Sequence, residues 1–223
     1  MVDRAPDPDA PPFPRPAGLA PPPPINRLKE LRLGFDSIRF TLTSPTLLGA
    51  PRGDDRTTLV VPGFKTDDRS LLPLRTFLRR RNHDARPWRQ GVNDGDVDRL
   101  LDATVERTHE LVERSGRPIN LIGWSLGGVY VREVARDHPD LVHRVVTMGT
   151  PLFGPHHTLG HTFYDTERLD RIAAQIDDRY RTPIECPILT IYSRNDGVVD
   201  WKACPDTWSP DVTLFETPSA HIG

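Results

Sequence analysis

Cysteine is nearly absent from this chain: Cys186 and Cys204 are the two that occur in 223 residues. One opens a strand-like run and the other lies in the loop beyond that run's far end, so no bridge between them is expected and a disulfide framework is excluded. Lysine is scarce too, with Lys29, Lys65 and Lys202 the only ones among 29 basic residues. An excess of charge of one sign is also lacking. The basic side chains nearly cancel 31 acidic ones, leaving a net −2, so no net field argues for nucleic acid or an anionic membrane as partner. No apolar run approaches transmembrane length, and no apolar core of seven or more residues near the N-terminus marks a secretory leader. Cytoplasmic residence is the expectation, and composition specifies no oligomeric state.

Proline, by contrast, is plentiful and unevenly placed. Ten prolines fall between Met1 and Pro24. Their missing N–H groups and fixed φ predict an extended, polyproline-like or disordered arm over residues 1–24. The run Pro21–Pro24 could dock on an aromatic groove, but an inert spacer is the preferred reading. The remainder, 25–223, has the length of one domain with a substantial core.

Along that remainder the hydrophobic period alternates between that of strands and that of helices. Helices are predicted over 25–33, 71–81, 97–115, 126–138 and about 167–180. Strands are predicted over 38–42, 58–62, 85–88, 119–124, 142–148, 187–192 and 212–216. In the long helix Leu100, Leu101, Thr104, Thr108, Leu111 and Val112 share the inner side, and Gly116 supplies a stop. Such alternation implies a mostly parallel sheet with helices on both faces and a site at the strands' C-terminal ends.

Chemistry enters with Ile119-Asn120-Leu121-Ile122-Gly123-Trp124-Ser125-Leu126-Gly127-Gly128. An apolar strand runs into Gly-x-Ser-x-Gly and on into a helical pattern, which puts Ser125 on a tight turn with its hydroxyl exposed. Downstream, the strand Ile188–Tyr192 ends in a turn cluster that presents Asp196, and Thr217-Pro218-Ser219-Ala220-His221 follows the last strand. A serine hydroxyl is a poor nucleophile until a base takes its proton. His221 is the expected base and Asp196 the residue that orients it. Asp200 competes for the acid role from the same loop, and Asp196 is preferred because it directly follows the strand.

The order Ser125, Asp196, His221 resembles that of the α/β-hydrolases, in particular their lipase and esterase branch. The resemblance covers roughly residues 57–221. Thr58-Leu59-Val60-Val61-Pro62-Gly63-Phe64 looks like that family's first central strand with its oxyanion loop, Pro-Gly-Phe standing where most members carry His-Gly-x. Gly149-Thr150-Pro151 after Val145-Val146-Thr147 looks like the family's next strand end, as in many bacterial lipases, and Trp88–Gly95 and Ser193–Trp201 resemble loops of a bacterial subgroup of these hydrolases. The resemblance implies an oxyanion hole made by the backbone N–H groups of Phe64 and Leu126, where losing one donor typically costs about 3–4 kcal/mol. It also implies that Trp124 and Phe64 lie beside the substrate, although a plain core role suits Trp124 equally.

In such hydrolases the stretch here at about 151–186 holds a lid or cap. His156, His157 and His161 cluster at its start, and a solvated lid segment is preferred over a metal site because no Cys or carboxylate sits at matching spacing. No cofactor and no metal are expected. Family members continue past the histidine into a closing helix, which appears missing before Gly223. An exposed apolar face on the sheet and a frayed end under His221 are therefore predicted. The implied function is a serine hydrolase of carboxylic esters acting on a small-molecule or lipid substrate through an acyl-enzyme. The alternatives are an acyltransferase on the same fold and a non-catalytic binding protein.

Overall fold

A computed structural model describes residues 16–23, 25–26, 49–155, 158 and 166–221. The predicted strand 38–42, and the predicted helix 25–33 beyond its first two residues, lie outside this set. Among the described residues ten strands and α-helices follow one another: β1 (Thr57–Val61), α1 (Leu72–Arg80), β2 (Asp84–Pro87), α2 (Val97–Ser115), β3 (Ile119–Trp124), α3 (Leu126–Asp137), β4 (Val142–Met148), α4 (Thr166–Arg179), β5 (Ile188–Tyr192) and β6 (Val212–Glu216). The six strands form one parallel sheet in the order β2-β1-β3-β4-β5-β6.

Side-chain alternation along the strands divides the core into two layers. Leu59, Val61, Leu121 and Val145 pack with Leu100 and Leu111 of α2 and Tyr130, Val131 and Val134 of α3. Their neighbours Val60, Ile122 and Val146 point the other way, toward Leu71, Leu74 and Leu78 around α1. Every residue of β1 is buried, as expected for a central strand covered on both faces. Pro62 follows it without a ladder N–H to offer, and the strand stops at Val61. At the other end of α2, Gly116 takes φ 67° and donates its N–H to Val112 O, a conformation glycine adopts without a Cβ penalty.

The insert after β4 does more than lie in solvent. Leu152, Phe153 and Tyr180 bury against Val199, Ala203 and Cys204, with Ile176 of α4 and Leu19 of the proline-rich arm packed alongside. Among the described residues no helix is long and apolar enough to cross a membrane. Leu214 and Phe215 on the edge strand β6 are 45% and 55% exposed.

Candidate active site

Ser125 joins β3 to α3 with φ 52° and ψ −122°, a strained setting for a residue with a side chain. Neighbouring structure enforces it. A Cβ on Gly123 would lie 2.4 Å from Gly127 O, and one on Gly127 would lie 2.5 Å from Val61 O. Strand, elbow and helix therefore approach closer than any other residue type allows. The Ser125 N–H donates to Met148 O at 2.8 Å, pinning the elbow to the end of β4. Leu126 is the first residue of α3, where backbone N–H groups have no partner within the helix and carry its positive dipole end.

Asp196 is 3% exposed in the loop after β5. Its Oδ1 accepts the N–H groups of Val198 at 2.8 Å and Val199 at 2.7 Å. Its Oδ2 lies 2.7 Å from His221 Nδ1, and both side chains are almost wholly buried. Asp200, the competing acid, is engaged elsewhere. It accepts Lys202 N–H at 3.1 Å, capping the short 3-10 turn Trp201–Ala203, and Ala20 N–H at 3.0 Å.

The segment bearing His221 is tied down rather than frayed. Thr217 N–H donates to Tyr192 O at 2.8 Å, Asn195 Nδ2 to Pro218 O at 2.9 Å, and Ser193 Oγ to Ser219 O. Trp124, beside the elbow, donates its indole N–H to His221 O at 3.0 Å, its ring centroid 5.7 Å from the imidazole. Beneath the pair lies Gly149, at φ 55°, where a Cβ would fall 2.8 Å from His221 Nδ1 and 3.3 Å from Asp196 Oδ2. Met148 accepts the Ser125 N–H and Gly149 follows it, so the serine elbow and the His–Asp pair meet at one end of β4.

The loop Pro62–Thr66 borders the elbow: a Cβ on Gly63 would sit 3.2 Å from Ser125 Cβ. Thr66 closes it as a turn, donating both N–H and hydroxyl to Gly63 O at 3.2 and 2.8 Å. Phe64, at the turn's second position, packs its ring over Gly95 and under the Lys65 ammonium, 5.1 Å from the ring centroid.

Sequence reasoning missed two contributors here. Asn93, wholly buried, hydrogen-bonds this turn through side chain and backbone; its only sequence signal was a polar residue inside the Trp88–Gly95 loop. Asn26, just past the arm, donates to Arg194 O at 3.1 Å and Asp196 O at 3.2 Å. With the Ala20 bond and Lys202 Nζ donating to Gly18 O at 3.1 Å, residues 18 and 20 of the arm and Asn26 beyond it are seated on the acid loop. The seat arises from hydrogen bonds to groups more than 160 positions away, which no local pattern encodes.

The two cysteines are chemically quiet. Burial, then the charges of Asp196 and Asp200, push the Cys204 thiol well above its ordinary pKa, and burial pushes Cys186 to about 11. Neither is a thiolate at neutral pH. His156, His157 and His161 lie outside the described residues. Among the described residues no group of three or more His, Cys, Asp or Glu could hold a metal ion.

A family model described as "alpha/beta hydrolase fold" matches residues 103–181, from within α2 across the elbow to the end of α4. No curated protein sequence matches the chain. Among solved structures, the monoacylglycerol lipase of Paleococcus ferrophilus is 14% identical with a TM-score of 0.56, the match covering 77% of this chain and 88% of that one. The mature Bacillus licheniformis lipase BlEst2 is 16% identical with a TM-score of 0.56, covering 78% and 88%. The type II thioesterase BorB of the borrelidin biosynthetic cluster is 19% identical with a TM-score of 0.51, covering 78% and 86%. At identities of this size what is shared is architecture, and by that architecture this chain has the α/β-hydrolase fold.

Proposed function

We propose that the chain is a serine hydrolase that cleaves carboxylic esters through an acyl-enzyme. The observation that carries this reading is the buried His221–Asp196 pair, 2.7 Å from Nδ1 to Oδ2, set over the same strand end that holds the Ser125 elbow. A carboxylate on Nδ1 fixes the tautomer that leaves Nε2 as the base. In this mechanism Nε2 takes the Ser125 proton as Oγ attacks the ester carbonyl carbon. The resulting oxyanion is received by the backbone N–H groups of Phe64 and Leu126. His221 then passes the proton to the departing alcohol, leaving an ester on Ser125, and the same steps with water release the acid. Phe64 and Trp124 offer ring surface to the substrate, since the indole N–H is already given to His221 O. That the fold neighbours include proteins named as lipases and as a thioesterase supports an acyl substrate.

Labelling by a fluorophosphonate tests the reading. Wild-type protein is expected to label, and Ser125→Ala to lose the label with an unchanged circular dichroism spectrum. Undiminished labelling of that variant would overturn the assignment. A series of p-nitrophenyl esters from acetate to palmitate then reports acyl preference, and product analysis with added alcohol separates hydrolysis from transfer.

A further inference from the structure

We propose that the Asn93 side chain is a positioning residue that clamps the oxyanion loop to the helix following the nucleophile; the inference rests on the serine-hydrolase reading. Two donors on different segments must converge on one oxygen: Phe64 N–H in the turn after β1, and Leu126 N–H at the start of α3. Without a rigid link between turn and helix, their separation would vary with every motion of the loop.

Asn93 supplies that link. It is wholly buried in a surface loop where Val92, just before it, is 53% exposed. A buried amide is costly unless its hydrogen bonds are made, and those of Asn93 are made toward the site. Its Nδ2 donates to Pro62 O at 3.0 Å, while its Oδ1 accepts the Tyr130 hydroxyl at 3.1 Å and Gly95 N–H at 3.3 Å. Its backbone closes on the same turn, receiving Lys65 N–H at 2.7 Å and donating to Thr66 O at 2.9 Å. The turn is thus gripped at three points by a single residue.

Tyr130 fixes the other end. It lies on α3, wholly buried, and its ring stacks on Trp88 at 6.0 Å. Trp88 in turn donates its indole N–H to Thr104 of α2 at 2.9 Å. The connection from Pro62 through Asn93 to Tyr130 runs through buried residues, and α3 carries it on to Ser125. Lys65 needs such support, because a non-glycine residue at φ 59° is uncommon and holds that conformation only where its surroundings impose it.

Three variants test the clamp. Asn93→Ala removes the side-chain bonds, Asn93→Asp keeps an acceptor for Tyr130 but sets a carboxylate against Pro62 O, and Tyr130→Phe removes only the hydroxyl. Each is first titrated with a fluorophosphonate to count working sites. Turnover of a p-nitrophenyl ester and inhibition by a trifluoromethyl ketone, which forms a tetrahedral adduct on serine, are then measured per site. Full loss of an oxyanion donor lowers kcat roughly 10²–10³-fold, so a displaced one should lower it about 10–100-fold in Asn93→Ala with KM within about twofold. The ketone should weaken in parallel, and Tyr130→Phe should show the same pattern several-fold more weakly. Amide exchange at residues 64–66 should quicken at least about tenfold while α3 stays protected.

Per-site turnover and ketone affinity that stay at wild-type values in the folded variants would overturn the proposal, because a merely structural asparagine lowers the melting temperature and nothing else. If Asn93→Ala does not fold, Tyr130→Phe decides by the same readouts. If wild-type protein neither labels nor turns over, the hydrolase reading fails by itself. The exchange rates then decide the clamp, and unchanged rates at 64–66 sink it.

Discussion

Asp196 and Asp200 share one loop and one side-chain chemistry, yet their carboxylates serve different ends. Asp196 Oδ1 is saturated by two backbone N–H groups, which leaves Oδ2 aimed at His221. Asp200 spends its oxygens on a turn cap and on the arm. Asp196→Asn should therefore lower kcat by about 10⁴-fold at neutral pH, the penalty for a wrongly held imidazole tautomer. Asp200→Asn should cost less than about tenfold, since it weakens a cap. A larger effect at Asp200 would exchange their roles. Gly149 makes a second test at this scale. Alanine there must adopt φ 55° and place a methyl 2.8 Å from His221 Nδ1. Gly149→Ala should reduce the fluorophosphonate labelling rate by at least about tenfold while costing only about 1–2 kcal/mol of stability for the left-handed backbone. Equal labelling would mean that the imidazole does not need its present place.

Among the elements, α3 carries the elbow at its start and an ionic anchor further along. Arg132, 1% exposed, donates to Asp206 Oδ2 at 2.7 Å, and Asp206 also accepts Ser209 Oγ at 2.7 Å and the N–H groups of Trp208 and Ser209 at 2.8 and 3.0 Å. Nearby, Glu133 accepts from both Arg136 and Arg179, Arg179 also reaches Asp137, and the Arg136 guanidinium lies 4.7 Å from the Tyr180 ring centroid. These contacts fasten the end of α4 onto the helix that begins at the Ser125 elbow. Burial alone would raise the Asp206 pKa, but Arg132 and the Ser209 hydrogen bonds outweigh it and hold the carboxyl below its ordinary value. A folded-state pKa depressed in this way gives stability that is present above the unfolded pKa, about 3.9, and is lost as pH falls through the folded value. Arg132→Met should cost about 3–5 kcal/mol by leaving a buried carboxylate unpaired. The double variant Arg132→Met with Asp206→Asn, which keeps an oxygen acceptor for the Trp208 and Ser209 N–H groups, should recover much of that loss and flatten the acid limb of the melting curve. If the double variant were as unstable as the single one, the anchor would act through shape and not charge.

For the whole molecule, the sheet is asymmetric in its protection. β1 is buried throughout, while four of the five residues of β6 are exposed. An exposed edge strand with apolar side chains is a template for pairing with another strand. Phe215→Lys should lower light scattering at high protein concentration while moving the melting temperature by less than about 2 °C, because the ring contributes little buried area. A large fall in melting temperature would show that Phe215 packs on something the fold needs.

The sequence by itself determined the alternation of elements and the place of the Ser125 elbow, because both are written in the local sequence. The apolar period of α2 and the glycine at 116 define its two ends, and β3, the elbow and α3 follow from a strand run into Gly-x-Ser-x-Gly. Asp196 and His221 were legible as chain order and as turn chemistry after strands. Tertiary structure alone decided the rest. That the Asp196 carboxylate lies against His221 depends on the N–H groups of Val198 and Val199, which occupy Oδ1 and leave Oδ2 for the imidazole. The hold on His221 depends on the Trp124 indole 97 positions earlier. The seat of the arm depends on Asn26 reaching carbonyls 168 and 170 positions away. Local sequence records backbone preference and periodicity, whereas these contacts exist only once the parallel sheet has brought distant loops to one end, and nothing in a residue's immediate neighbours announces its partner across the fold.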